Sequence, residues 1–155
     1  MNIDVSELLF PKVYYFDFIQ SIDSSITSII IPNWTCNDID YTVFDFSRFS
    51  RVKSIEIGND CFGSVKTFKI DGLNRLKTIK IGNNSFTQHK HSCGKDLSKS
   101  FHILNCESLE SIQIGTIGRK SCNFYGSSFV IRGIELILNI VMIRSSKSTI
   151  HYIGL

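Results

Sequence analysis

The residues with metal-binding chemistry are concentrated in one polar segment. His89, His91 and Cys93 occupy alternate positions there, and zinc prefers imidazole and thiolate ligands. However, single-residue gaps are not a usual zinc-ligand spacing, and the sequence supplies no evident fourth ligand. We therefore expect no metal site, and we interpret residues 87–100 as a polar insertion loop.

The same loop is rich in lysine. It contains Lys90, Lys95 and Lys99 against one acidic residue, Asp96. A basic loop can attract phosphate groups or acidic proteins through its charge. The loop has no aromatic residue on which a nucleic-acid base could stack. Weak binding of polyanions through the Lys-rich loop 87–100 is therefore an alternative function, whereas a nucleic-acid partner is not expected.

No segment has the pattern of a catalytic or phosphate-binding site. In the stretch 115–121, Arg119 separates Gly118 from Lys120, so the Gly-x4-Gly-Lys-Ser/Thr motif is absent. Cys106 falls at an apolar position of the repeat described below, where a thiol is expected to be buried. No histidine is accompanied by a carboxylate in that repeat. We therefore expect no enzymatic activity, no catalytic residue and no cofactor.

Composition indicates one folded domain. The chain has 155 residues, of which 43% are hydrophobic and 20% charged, enough apolar material for a core. The net charge of +3 is too small to predict a nucleic-acid binder. The 5 cysteines are odd in number and irregularly spaced, unlike a disulfide framework. The chain begins without the basic start and apolar run of a secretory signal, which favours the cytoplasm, and no apolar run is long enough for a membrane span.

A spacing of apolar residues recurs along the chain and dominates the pattern. Four blocks repeat the intervals two, three, three, three, two without a gap. The blocks are Phe44, Phe46, Phe49, Val52, Ile55 and Ile57; Phe68, Ile70, Leu73, Leu76, Ile79 and Ile81; Phe101, Ile103, Cys106, Leu109, Ile112 and Ile114; and Phe129, Ile131, Ile134, Ile137, Ile140 and Met142. A degraded fifth copy precedes them, with Phe16, Phe18, Ile26, Ile29 and Ile31.

These intervals predict two short strands in each block. A spacing of two places both side chains on one face of a strand, so each outer pair marks a strand turned toward the interior. The steps of three suit a tight turn or a 3₁₀-like arc. Stacked blocks should form two ladders. One contains Ile55 and the residues at the same place in the other blocks, and the other contains Phe44 and its equivalents. Glycine and asparagine at the ends of the strands, as in Gly58-Asn59 and Gly82-Asn83, favour turns because they tolerate positive φ.

These residues resemble the leucine-rich repeat family. Leu76 to Asn84 fits the L-x-x-L-x-L-x-x-N core of such repeats. The run from Asn105 to Ile114 is similar to the BspA-like subtype, with its Cys-x-x-Leu-x-x-Ile-x-Ile order. The resemblance implies a β-rich leucine-rich-repeat solenoid of about five stacked repeats, with two short strands each and little or no α-helix.

One domain, residues 1–155, is expected to contain the whole array. Residues 1–23 would form an N-terminal cap, because solenoids need polar ends. The repeats cover about residues 16–143, and residues 144–155 are an incomplete repeat or a frayed end.

The resemblance also implies a function. Leucine-rich repeats recognise partners, usually proteins, through exposed positions of the strand ladder. The candidate partner-binding residues at those positions are Lys53, Glu56, Lys77, Lys80, Glu110 and Gln113. Glu56 beside Lys80 is also compatible with a simple cross-strand ion pair of little energetic value, and a solvated face is the alternative interpretation for each of the six residues. The sequence thus predicts a non-enzymatic protein-binding or scaffolding module, and the second hypothesis is a structural solenoid that self-associates through open ends or belongs to a longer repeat protein.

Overall fold

The computed structural model describes residues 2–4, 25–40, 42–87, 98–116, 121–124, 127–133, 139–142 and 149–153, and every element within them is a β-strand. The strands are β1 (Asn2–Asp4), β2 (Ser28–Ile31), β3 (Val43–Asp45), β4 (Ser54–Ile57), β5 (Thr67–Asp71), β6 (Thr78–Ile81), β7 (Ser100–Leu104), β8 (Ser111–Ile114), β9 (Ser128–Arg132), β10 (Asn139–Met142) and β11 (Thr149–Ile153).

The strands form two parallel sheets. A six-stranded sheet has the order β1-β2-β4-β6-β8-β10, and a five-stranded sheet has the order β11-β9-β7-β5-β3. From β2 onward, consecutive strands alternate between the sheets, so each strand serves as the crossover that parallel pairing in the other sheet requires. The prediction of two strands per block, one for each ladder, is confirmed. We call a strand of the five-stranded sheet, together with the following strand of the six-stranded sheet, a rung.

The predicted register is also confirmed. Neighbouring strands of the six-stranded sheet align Ile55, Ile79, Ile112 and Ile140. Those of the five-stranded sheet align Phe44, Phe68, Phe101 and Phe129. Side chains alternate across each strand, so every second residue of the central strands is buried between the sheets. The buried residues form one core cluster.

The steps of three correspond to tight turns, as expected. Phe49 N donates to Phe46 O at 3.0 Å, and Val52 N donates to Phe49 O at 3.0 Å. Leu76 N makes the same bond to Leu73 O at 3.0 Å. These i to i+3 bonds return an apolar side chain to the interior every three residues, and all five of these residues are buried.

A third buried column of phenylalanines was not among the core positions predicted. The rings of Phe62 and Phe86 stack with centroids 5.1 Å apart, and those of Phe86 and Phe124 stack at 4.9 Å. Their backbones are left-handed, with φ of 57°, 61° and 54°. This conformation costs an L-residue about 1–2 kcal/mol, so we infer that the stacked, buried rings offset the backbone strain.

The corner after the six-stranded sheet departs from the sequence interpretation. Gly58 and Gly82 were expected to provide positive φ, but neither has it; Asp60 and Asn84 do, with φ of 55° and 56°. The glycines are needed because neighbouring rungs approach closely. A Cβ on Gly82 would lie 2.5 Å from the carbonyl carbon of Gly58.

An asparagine ladder joins the rungs at this corner. Asn59 N donates to Asn33 Oδ1 at 2.6 Å, and Asn83 N donates to Asn59 Oδ1 at 2.7 Å. Thr116 N then donates to Asn83 Oδ1 at 2.9 Å. Each amide oxygen therefore satisfies a backbone donor that the turn leaves outside the sheet.

A short strand lies at one edge of each sheet. Asn2–Asp4 pairs in parallel with β2, and Thr149–Ile153 pairs in parallel with β9. The second strand lies in the segment that the sequence predicts as an incomplete repeat. Phe16 and Phe18, which resemble the opening pair of the degraded copy, lie outside the described residues.

Candidate functional site

The outer surface of the six-stranded sheet is the candidate site, and we call it the ladder face. The alternation that buries the isoleucine columns leaves the intervening residues on the opposite surface. In β2, β4, β6 and β8 these are Ser28, Ile30, Ser54, Glu56, Thr78, Lys80, Ser111 and Gln113. Lys53, Lys77 and Glu110 directly precede β4, β6 and β8 and are exposed.

The charged residues of the ladder face are paired differently from the sequence interpretation. Glu56 and Lys80 are neighbours in register, but they form no ion pair among those found in the described residues. Lys77 Nζ instead lies 2.7 Å from Glu110 Oε1. Because both side chains are more than half exposed, this pair contributes at most about 1 kcal/mol. Lys53, Glu56 and Lys80 are left exposed without a described ion-pair partner.

Gln113 is less available than the other predicted residues. It is half-buried, and its Nε2 donates to Gly115 O at 3.2 Å. The serine and threonine hydroxyl groups of the ladder face hydrogen-bond in part to one another, since Ser28 Oγ and Ser54 Oγ are 2.8 Å apart and hydrogen-bonded. Lys53, Glu56 and Lys80 therefore remain the exposed charged groups of this face with no described ion pair.

Cys36, Cys61 and Cys106 do not have the environment of nucleophiles. Burial raises the pKa of Cys36 to about 12 and that of Cys106 to about 11. Burial also raises the pKa of Cys61, although hydrogen bonds from the region of Thr35 lower it in part. A reactive cysteine needs a depressed pKa, because the thiolate is the nucleophile. These three thiols therefore remain protonated at neutral pH.

Cys61 belongs to a second polar ladder that the sequence did not reveal. Its Sγ donates to Pro32 O at 3.0 Å. Ser85 Oγ donates to Gly58 O at 2.8 Å, and Asn123 Nδ2 donates to Gly82 O at 2.8 Å. Different side chains thus reach back one rung to an equivalent carbonyl group. The role of Cys61 is a structural hydrogen bond.

Most of the insertion loop lies outside the described residues. His89, His91 and Cys93, where no metal site is expected, are among the residues outside. So are Lys90 and Lys95. Lys99 is described, and it is 4% exposed, with its Nζ donating to Gly63 O at 3.0 Å. Lys99 is therefore turned into the protein, and it does not add to a basic surface for polyanions.

Lys99 offers a direct test of that buried contact. Replacing Lys99 with alanine should lower the free energy of unfolding by about 1–3 kcal/mol, because Gly63 O loses a charged donor and the buried stem is removed. Lys66 is the matched control, because it has the same place one rung earlier. Ser100 N donates to Lys66 O, as Ser128 N donates to Lys99 O. Lys66 is exposed, so Lys66→Ala should change stability by under about 0.5 kcal/mol. Equal losses in urea titrations would contradict a special role for Lys99.

The described residues contain neither a metal-ligand cluster nor a helix that could span a membrane. Within the described residues, no three His, Cys, Asp or Glu side chains are grouped to hold a metal ion. The described part of the chain also contains no helix with the length and hydropathy of a membrane span. Comparison with protein-family models, with curated proteins and with solved structures gives no significant match.

Proposed function

We propose that the chain is a leucine-rich-repeat-type solenoid of about five repeats and that it works as a non-enzymatic protein-binding or scaffolding module. The ladder face is its recognition surface. The observation that carries the proposal is the group of exposed charges formed by Glu56 and Lys80 on adjacent strands of one regular sheet and by Lys53 directly before the first of them. Parallel strands lie about 4.8 Å apart, so their spacing is set by the backbone.

The backbone behind these charges is firmly held, which favours recognition. Ile55 and Ile79 lie in the strands that carry Glu56 and Lys80, and both are buried almost completely. Hydrogen bonds join the two rungs at both ends of these strands. Lys77 N donates to Lys53 O at 2.8 Å, and Gly82 N donates to Ile57 O at 2.7 Å. A surface whose backbone is already ordered loses little entropy on binding.

The charge pattern gives the surface specificity. Lys53 precedes the strand that contains Glu56, and Lys80 is the register neighbour of Glu56. A protein partner with acidic groups opposite the lysines and a basic group opposite Glu56 would complement this face. Such complementarity acts mainly on the association rate and on the rejection of wrong partners.

A charge-swapped variant tests the proposal. The triple variant Lys53→Glu, Glu56→Lys and Lys80→Glu reverses the unpaired charges of the ladder face. Quantitative pull-down from lysate of the source cells should identify a protein that the native chain captures and the variant loses. With that protein purified, the variant should bind about tenfold or more weakly.

A matched control makes the test specific. The variant Lys66→Glu, Arg75→Glu and Glu107→Lys has the same net charge and alters three exposed residues away from the ladder face. It should retain the captured protein. Equal retention by both variants, with both folded by circular dichroism, would rule out the ladder face as the recognition surface.

A further inference from the structure

The two sheets do not end at the same level. At one end, β1 and β2 of the six-stranded sheet lie beyond β3, the last described strand of the five-stranded sheet. At the other end, β11 of the five-stranded sheet lies one rung beyond β10. Among the described strands, one end thus overhangs with β1 and β2 of the six-stranded sheet, and the opposite end overhangs with β11 of the five-stranded sheet.

We propose that these ends join two copies of the chain head to tail, with β1 of one copy adding in parallel to β10 of the other. The β1 strand of one copy then lies at the level of β11 of the other, and the two strands form a rung that the described strands of neither copy form alone. The join extends the six-stranded sheet and leaves the ladder face uncovered. It therefore rests on the strand edges and not on the proposed function.

The backbone polarity of the sheet supports this join. Gly58 N donates back to Ile31 O, while Ile57 O accepts from Gly82 N of the following rung. Consecutive residues of a strand therefore face opposite edges. Met142 is in register with Ile57 through β6 and β8. Since the backbone groups of Ile57 face the following strand, those of Met142 face the outer edge of β10. The backbone groups of the residue two positions before Met142 face the same way.

The same alternation gives the edge presented by β1. Asp4 is in register with Ile30. Because the backbone carbonyl of Ile31 faces β4, the backbone groups of Ile30 face the opposite edge of β2, toward β1. The backbone groups of Asp4 and Asn2 therefore face away from β2. Among the described strands, nothing pairs with this edge of β1 or with the outer edge of β10. Edges of this kind pair readily with another strand of matching polarity.

The register of the join follows from the columns of the sheet. Asn2 lies opposite Ser28, and Asn139 lies opposite Ser111. Ser28 and Ser111 belong to one column, through Ser54 and Thr78. Continuing that column across the join pairs Asn139 of one copy with Asn2 of the next.

The alternative join, between β11 of one copy and β3 of the other, is sterically excluded. The strand β3 lies two strands inside the overhang formed by β1 and β2. Bringing β11 against β3 would force β10 of the same copy into the place that β1 occupies. Among the described strands, a join through β1 and β10 has no such overlap. Because it is heterologous, each added copy leaves a new free end, and the assembly grows as an open filament.

Disulfide trapping tests the register. A chain carrying Asn2→Cys is mixed with a chain carrying Asn139→Cys, and the cross-linked peptides are mapped by mass spectrometry. The Cα atoms of register neighbours lie about 4.8 Å apart, which is within the range of Cα–Cα distances that a disulfide spans. Val141→Cys in place of Asn139→Cys is the out-of-register control, since a two-residue offset puts the Cα atoms about 8 Å apart. The in-register pair should cross-link at least about tenfold more.

The opposite result is equally well defined. A cross-link between Val43→Cys and Thr149→Cys chains would place the join in the five-stranded sheet and overturn the proposal. So would equal yields from the in-register and out-of-register pairs.

A second measurement does not depend on cysteine chemistry. Sedimentation velocity of the native chain should give species that grow with protein concentration. Asp4→Pro removes the N–H that faces the outer edge of β1 and spares the bonds to β2, so this variant should remain a monomer. Asp4→Ala keeps the N–H and should assemble like the native chain. A native chain that stays monomeric at every concentration, or an Asp4→Pro variant that still assembles, would refute the join.

Discussion

Replacing Gly82 with alanine is expected to lower the free energy of unfolding by about 3 kcal/mol or more. The added Cβ would lie 2.5 Å from the carbonyl carbon of Gly58 and 2.6 Å from Asn59 N. Both are backbone atoms of the neighbouring rung, so no side chain can move aside to relieve the overlap. The rungs would have to separate where Gly82 N now bonds to Ile57 O at 2.7 Å. Urea titration followed by circular dichroism measures the loss.

Gly72 is the matched control for this substitution. It has a φ of +71°, and a Cβ there would meet nothing within 4 Å. Gly72→Ala should therefore cost only the left-handed backbone strain, about 1 kcal/mol. If the two variants are destabilised equally, the close approach of rungs at Gly82 does not matter to stability. The comparison separates crowding between rungs from the conformational freedom of glycine.

The regular part of the fold could be predicted because it depends on local spacing. The interval between Phe68 and Ile70 sets a strand face, and the interval between Leu73 and Leu76 sets a turn. Both follow from backbone geometry alone. Each described apolar position of the four predicted blocks that has a described side chain is buried. The sequence thus predicted the two columns and their register from periodicity.

The corner structure could not be predicted in the same way, because it depends on contacts between rungs. Cys61, Ser85 and Asn123 share one hydrogen-bonding role, yet they share no residue type. The spacing between Phe86 and Phe124 contains an insertion, which hides their common column. The signal that remained was the recurrence of Gly-Asn-x-x-Phe at Phe62 and Phe86.

The candidate site shows the same division between backbone and side chain. The register of Glu56 and Lys80 followed from the repeat, but the ion pair formed at Lys77 and Glu110 instead. Long charged side chains choose among several rotamers of similar energy, and spacing does not encode that choice. The surface positions were therefore predictable, whereas the pairing that leaves Lys53 and Lys80 exposed was not.

A steep loss of stability at alkaline pH is the second large effect expected. Burial raises the pKa of Cys36 from 9.0 to about 12 and that of Cys106 from 9.0 to about 11. In the unfolded chain these thiols ionise near pH 9, whereas in the folded chain they stay protonated. Their contribution to stability is therefore fully present below pH 9 and is lost as the pH rises toward 11 and 12.

The thiol contribution can be isolated with truncations at buried positions. One pKa unit corresponds to about 1.4 kcal/mol, so full ionisation of the unfolded chain at high pH removes about 4 kcal/mol for Cys36 and about 3 kcal/mol for Cys106. Lysine and tyrosine titration is common to all variants. Cys106→Ala should be less stable than the native protein at pH 8, and the difference should shrink steadily as the pH rises toward 11. Val65→Ala, a truncation of a fully buried residue that does not titrate, should keep a constant difference. A Cys106→Ala difference that stays equally constant across this range in urea titrations would mean that the thiol ionises as readily in the folded chain as in the unfolded one.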